Sequence, residues 1–189
     1  PMAAEAVAPQ MHALVSLCGI SAMLPGGANT LEAAAQVVAA GADTITLVPS
    51  ARWVLPEFVA NALEGVGKDV GARPKHGGFV HGAQLFDGSF FGVSKAESTE
   101  MDPQQRLLLE RGYAALHSGG LDNAAIGAAN GLVGVFVGIE MMDFQEVLRG
   151  RAASVYLATG SSLSVASGRL SFTMGLHGPC AAYLTACSA

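Results

Sequence analysis

From Leu170 to Ala189 the chain carries no Asp, Glu, Lys or Arg; the last charged side chain is that of Arg169, and only His177 beyond it can ionise. Uncharged apolar backbone must be covered by other elements, because a bare strand edge pairs with any neighbour. Chain termini are ordinarily polar and lie at the surface. The expectation is therefore a chain cut through a hydrophobic core, with a weaker hint of truncation at Pro1 and Met2. Charged residues are 13% of the 189 and hydrophobic ones 51%. That charge content is about half of the usual ~25%, too little to cover a free-standing globule, while the apolar content excludes disorder.

The same composition limits partners and compartment. A net charge of −5, with ten Lys plus Arg scattered singly, leaves no basic stripe for nucleic acid. Cys18, Cys180 and Cys187 form an odd set without a CxxC pair, which fits reduced thiols in the cytoplasm or another reducing compartment, an organelle included. The apolar stretch from Ala13 to Leu24 lacks the basic flank of a leader. Ala124 to Ile139 is too short and Gly-rich to cross a bilayer, and Ala152 to Gly168 is studded with Ser, so no membrane span is expected.

Strand and helix signals alternate along the chain. Val15 to Ala22 reads as a fully buried strand closed by Pro25-Gly26-Gly27. Asn29 and Glu32 form a capping-box pattern for a helix over Leu31 to Ala40, with Gly41 at its end. Ile45 to His81 reads as loops with short elements. Ser94 with Glu97 opens a short helix; Asp102 as N-cap, Pro103 at N1 and Gln105 at N3 open a longer one, on which Leu109, Tyr113 and Leu116 share a face up to Gly119-Gly120. Val133 to Ile139 predicts a buried strand, Ser161 to Leu176 a long buried helix, and residues 181–186 a strand leading directly into Cys187. Such alternation predicts an α/β fold with a mostly parallel sheet and helices on its faces.

Cys187 is the residue whose placement suggests chemistry. A thiol at a strand-to-helix turn feels the positive end of the helix dipole and its free N–H groups, which favour the thiolate and can also hold an oxyanion. A buried, inert cysteine is the competing reading. His12, His76, His81, His117 and His177 pair with no carboxylate at a telling spacing and read as surface or turn residues, and His76 with His81 lacks a third ligand for a metal.

Seven runs in one order then carry a resemblance: LPGGANTLEAA at 24–34, VPSARW at 48–53, GGFVHGAQLFDGSFFGVSKAE at 77–97, MDPQQRLLLERGYAAL at 101–116, GVFVGIEMMDF at 134–144, ATGSSLSVASGRLSFTMGLHGPC at 158–180 and TACSA at 185–189. Together they resemble the N-terminal half of the ketosynthase (β-ketoacyl synthase) domain of type I modular polyketide synthases. The resemblance implies a thiolase-like fold of two similar α/β halves, with residues 1–11 a tail and residues 12–189 the first half, truncated after the nucleophile elbow. It implies that Cys187 is the acyl-thioester nucleophile, its backbone N–H an oxyanion donor. The two catalytic histidines, a motif lysine and a second oxyanion donor would belong to the second half, so the fragment alone is expected to be inactive.

The implied reaction of the intact protein, in polyketide or fatty acid biosynthesis, is acyl transfer from an acyl carrier protein to Cys187, followed by decarboxylative Claisen condensation with a malonyl-type extender. No cofactor is implied in the domain itself; phosphopantetheine is carried by the partner acyl carrier protein. A homodimer through the strand at residues 179–185 is also implied. Leu184 stands where the family usually has Asp, which leaves a noncatalytic ketosynthase-like scaffold or docking subunit as the alternative, together with an acyl-thioester hydrolase.

Overall fold

The computed structural model describes residues 15–54, 75–141, 143–150 and 154–186. A 3-10 turn at Pro25–Gly27 leads into α1 (Leu31–Ala39). Thr30 rather than Asn29 caps this helix, its hydroxyl accepting from Ala33 N at 3.2 Å, because Thr30 has the extended backbone that an N-cap requires. Gly41, at φ 56°, closes it as expected. The following stretch, read as loops with short elements, holds β1 (Ile45–Leu47) and β2 (His76–Gly78), an antiparallel pair with Ile45 opposite Gly78; its residues 55–74 lie outside the described residues.

The strongest helix signals hold. Ser94 Oγ accepts from Glu97 N at 3.1 Å to start α2 (Lys95–Glu100), and Asp102 Oδ1 accepts from Gln104 N at 2.8 Å to start α3 (Pro103–Ser118). Asp122 caps the short α4 (Asn123–Ala128) in the same manner. Then follow β3 (Val135–Gly138), α5 (Phe144–Leu148), α6 (Leu157–Ser161), α7 (Leu163–Met174) and β4 (Cys180–Tyr183). The helix expected over Ser161 to Leu176 forms as α7, two residues shorter at each end, and the extended backbone of Ser162 (φ −84°, ψ 126°) separates it from α6.

Val15 to Ala22 has the composition of a buried strand but forms none, and Val15 and Leu17 are 96% and 80% exposed. An apolar run becomes a strand only where a neighbour completes the ladder. Here the end of α3 supplies the partners instead: Ile20 N donates to Ser118 Oγ at 3.2 Å, the same hydroxyl lies 3.3 Å from Ile20 O, and the backbone of Gly19 presses against Ala115 and Gly119.

The core sits between the second strand pair and the helices beneath it. β3 and β4 run parallel, with Val135 opposite Cys180 and Gly138 opposite Tyr183. Val135 and Val137 point inward with Ile126, Ile139, Ala166 and Leu176, while Phe136 alternates outward. A second cluster gathers Val93, Met101 and Leu109, with Phe86 and Phe91 stacked against it, and Leu170 of α7 touches both clusters. Gly112 of α3 makes room for Leu170, whose methyl carbon would stand 2.8 Å from an added Cβ.

Gly178 closes the strand pair. Its N–H donates to Val133 O at 3.1 Å, and a Cβ there would lie 2.5 Å from Val133 O and 2.6 Å from Gly134 N, backbone atoms that cannot give way without opening β3 from β4. Gly178→Ala in the intact protein should therefore cost about 1–3 kcal/mol, seen as a fall of several degrees in the melting temperature by circular dichroism; an unaltered midpoint would contradict the close approach.

Candidate active site

Parallel strands end on the same side of their sheet, and in α/β folds that carboxyl end is where ligands are handled. α7 supports both strands, so the direction in which β4 delivers the chain is set by helix packing. The strand expected at residues 181–186 stops at Tyr183, because Leu184 and Thr185 leave the ladder and Ala186 is left-handed at φ 51°. Cys187 itself lies outside the described residues. Ladder bonding does continue one step past β3, from Ile139 N to Tyr183 O at 3.0 Å. Leu184 is exposed.

A buried polar hub fixes the helices under this end. Gln105 of α3 accepts from Arg169 Nε at 2.8 Å and donates to Thr159 O at 3.1 Å and Ser162 O at 3.0 Å. Arg169 of α7 reaches Glu97 of α2 at 2.5 Å, with both side chains largely withdrawn from water. The carbonyls satisfied by Gln105 flank the break between α6 and α7, where the helical ladder no longer serves them. The sequence marks Gln105 only as N3 of its helix; no spacing rule points to partners 54, 57 and 64 residues away.

Asp102 is the perturbed acid beside this hub. Its N–H donates to Gly160 O at 2.8 Å, its Oδ1 caps α3, and its Oδ2 is buried with no hydrogen-bond partner among the described residues. Burial raises its pKa above the ordinary carboxylate value, helped by the nearby charge of Asp143 and opposed by the hydrogen bonds from Gln104 and by Arg106. Burial likewise lowers the pKa of Arg106.

His76 lies in β2, His81 stands beside Gly27, His117 stacks on Tyr113 at the end of α3, and His177 Nδ1 is 3.3 Å from Asn130 O; His12 is outside the described residues. Among the described residues no cluster of three or more His, Cys, Asp or Glu is arranged to hold a metal, and no helix is long and apolar enough to cross a membrane. Cys18 and Cys180 are both exposed free thiols.

The family model described as the β-ketoacyl synthase N-terminal domain matches residues 13–189. The chain belongs to that family. It is 41% identical over 179 residues to the polyketide synthase GfsB of Streptomyces halstedii, covering 93% of this chain and 3% of that protein. It is 39% identical over 177 residues to the pikromycin polyketide synthase component PikAII of Streptomyces venezuelae, covering 92% of this chain and 5% of that protein. This ketosynthase chain thus spans a few hundredths of the length of those relatives. Among solved structures it matches the oxazolomycin ketosynthase domain OzmH KS7 of Streptomyces albus with a TM-score of 0.70 at 27% identity, over 89% of this chain and 28% of that one. It also matches a ketosynthase from module 6 of the bacillaene synthase of Bacillus subtilis, TM-score 0.68 at 24% identity, over 90% of this chain and 26% of that one. The fold is the N-terminal part of the thiolase-like ketosynthase fold, as the sequence motifs imply.

The Asp102 shift has a definite sign. A carboxyl whose folded pKa is raised binds its proton more readily in the native state, so its contribution is fully present below the unfolded pKa and is lost as pH rises through the folded value. Asp102→Asn keeps the capping oxygen and removes the charge. Its melting temperature relative to the unsubstituted protein should therefore climb between pH 4 and pH 7, and that of Asp102→Ala, which also lacks the carboxyl, should climb in parallel from a level about 1 kcal/mol lower because the cap is lost; parallel pH profiles for Asp102→Asn and the parent would contradict the buried-carboxylate account.

Proposed function

We propose that the intact protein is a ketosynthase of polyketide assembly in which Cys187 takes up the growing acyl chain. What carries this reading is the TACSA run at residues 185–189, placed after the β3–β4 pair in a chain that matches the β-ketoacyl synthase N-terminal domain from residue 13 onward. In the first step the Cys187 thiolate attacks the carbonyl of a phosphopantetheine thioester held on an acyl carrier protein. The carbon–sulfur bond to pantetheine breaks as the bond to Cys187 Sγ forms, and the departing pantetheine thiolate takes a proton. The backbone N–H of Cys187 steadies the oxyanion of the tetrahedral intermediate. In the second step a malonyl-type extender loses carbon dioxide; the resulting carbanion attacks the acyl-Cys187 carbonyl and expels the thiolate. Dividing transfer from carbon–carbon bond formation is the usual advantage of a covalent intermediate.

The partners follow from the same reading: an acyl carrier protein that brings the thioester, and a second copy of the chain. Pro179 to Thr185 is uncharged, Tyr183 and Leu184 are exposed, and β4 is paired with β3 alone among the described residues. Such an edge favours pairing across a two-fold axis with its own copy.

The test is incubation of the full-length protein with an acyl carrier thioester, followed by peptide mass spectrometry. The expected result is an acyl adduct on the peptide holding Cys187, with Cys187→Ala lowering product formation about 10³-fold or more. An adduct confined to Cys18 or Cys180 would remove the assignment, and product formation unaffected by Cys187→Ala would favour a docking scaffold.

A further inference from the structure

Asn130–Gly131 is the only Asn-Gly step in the chain, and it stands at a junction. Asn130 follows the end of α4 in the left-handed region at φ 51°, and Gly131 continues the turn at φ 66°. From here the chain enters β3. Against it lies the turn at Gly175 that takes α7 into β4. Three contacts join the two turns: Gly131 O accepts from His177 N at 2.6 Å, His177 Nδ1 lies 3.3 Å from Asn130 O, and Val133 O accepts from Gly178 N at 3.1 Å. A Cβ on Gly131 would stand 2.8 Å from Gly175 O, so glycine is required at that close approach.

An Asn-Gly step is also chemically reactive. The glycine nitrogen, once its proton has left, attacks the asparagine Cγ; the N–Cγ bond forms as the Cγ–Nδ2 bond breaks, ammonia departs and a cyclic imide remains. Water then opens one or the other imide carbonyl, giving aspartate or the isoaspartate in which the main chain runs through the side-chain carbons. Glycine favours the ring closure because no Cβ crowds it. Asn130 is exposed to the water this needs, but Gly131 is buried. Its N–H donates to Ile126 O at 2.8 Å, which ties up the attacking nitrogen for as long as the end of α4 stays closed.

We propose that Asn130 is a deamidation site protected by this junction, and that its product, once formed, keeps the junction from closing. Protection follows from the Gly131 bond, since reaction requires a local opening that breaks it. The consequence follows from the shape of the product. Isoaspartate adds one carbon to the main chain between Asn130 Cα and Gly131 N, whereas the bonds of Gly131 to Ile126 O and to His177 N are spaced for the shorter chain. Either product also sets a carboxylate where α4 and α7 both end, the end of a helix that disfavours negative charge. The same turns lead into β3 and β4, so the change loosens the connection that holds their parallel register.

The experiment ages the intact protein at mildly alkaline pH, folded and in urea, and follows the Asn130 peptide by mass spectrometry. Deamidation should be about tenfold slower, or more, in the folded protein; equal rates would overturn the protection. His177→Ala, which removes the ring beside Asn130 O, should quicken the reaction about fivefold in the folded protein and leave the rate in urea unaltered. A folded rate that does not respond would remove the junction as the protecting element. For the product, Asn130→Asp carries its charge on an unaltered main chain, while Asn130→Gly keeps the left-handed turn and cannot deamidate. Hydrogen exchange at the amides of residues 131–135 should be faster in Asn130→Asp than in Asn130→Gly, and faster again in the isoaspartate fraction of the aged protein. Exchange in Asn130→Asp and in that fraction as slow as in Asn130→Gly would overturn the effect on the junction.

Discussion

β3 and β4 share one buried face against α7, and the direction in which β4 runs follows from that packing. Val135 and Val137 anchor the strand pair, Ala166 lets the helix approach it, and Leu170 joins this core to the cluster around Met101 and Leu109. A parallel pair has no hairpin to set its register, so side-chain burial and the connection through Gly175 and Gly178 must do so. Both glycines sit where the chain turns from α7 into β4, one left-handed at φ 66° and the other pressed against the backbone of Val133.

The polar groups beneath the sheet are arranged to serve that connection. Breaking the helix at Ser162 frees carbonyls that Gln105 recovers, and Arg169 ties the same glutamine to Glu97. A partly buried ion pair of this kind contributes little net stability once its desolvation is counted, but loss of one partner leaves a half-desolvated charge uncompensated. The hub therefore favours one relative placement of α2, α3, α6 and α7. Asp102 is the costly member nearby, a buried carboxyl with one oxygen used as a cap and the other without a partner among the described residues.

What was legible in the sequence is what local chemistry decides. Ser94 and Asp102 cap their helices through hydrogen bonds spanning two or three residues, and Gly41 closes α1 at positive φ, so each could be read from spacing. Val15 to Ala22 could not, because strand formation depends on a neighbour, and its backbone found the end of α3 instead. The extended backbone of Ser162 and the left-handed one of Ala186 were equally hidden, as neither Ser nor Ala advertises such a conformation. The family was legible because MDPQQR, TACSA and five other runs keep their order; the part of Gln105 in bridging three helices was not, because its partners lie 54 to 64 residues away.

The central proposal is that Cys187 is an activated nucleophile rather than a merely accessible thiol. The pH dependence of its alkylation by iodoacetamide in the intact protein, followed peptide by peptide, measures that directly. The account predicts a rate for Cys187 at neutral pH that exceeds those of the exposed Cys18 and Cys180, with half-maximal reactivity below the ordinary thiol value of about 8.5. A Cys187 that reacts no faster than those two, and only as an ordinary thiol ionises, would contradict it.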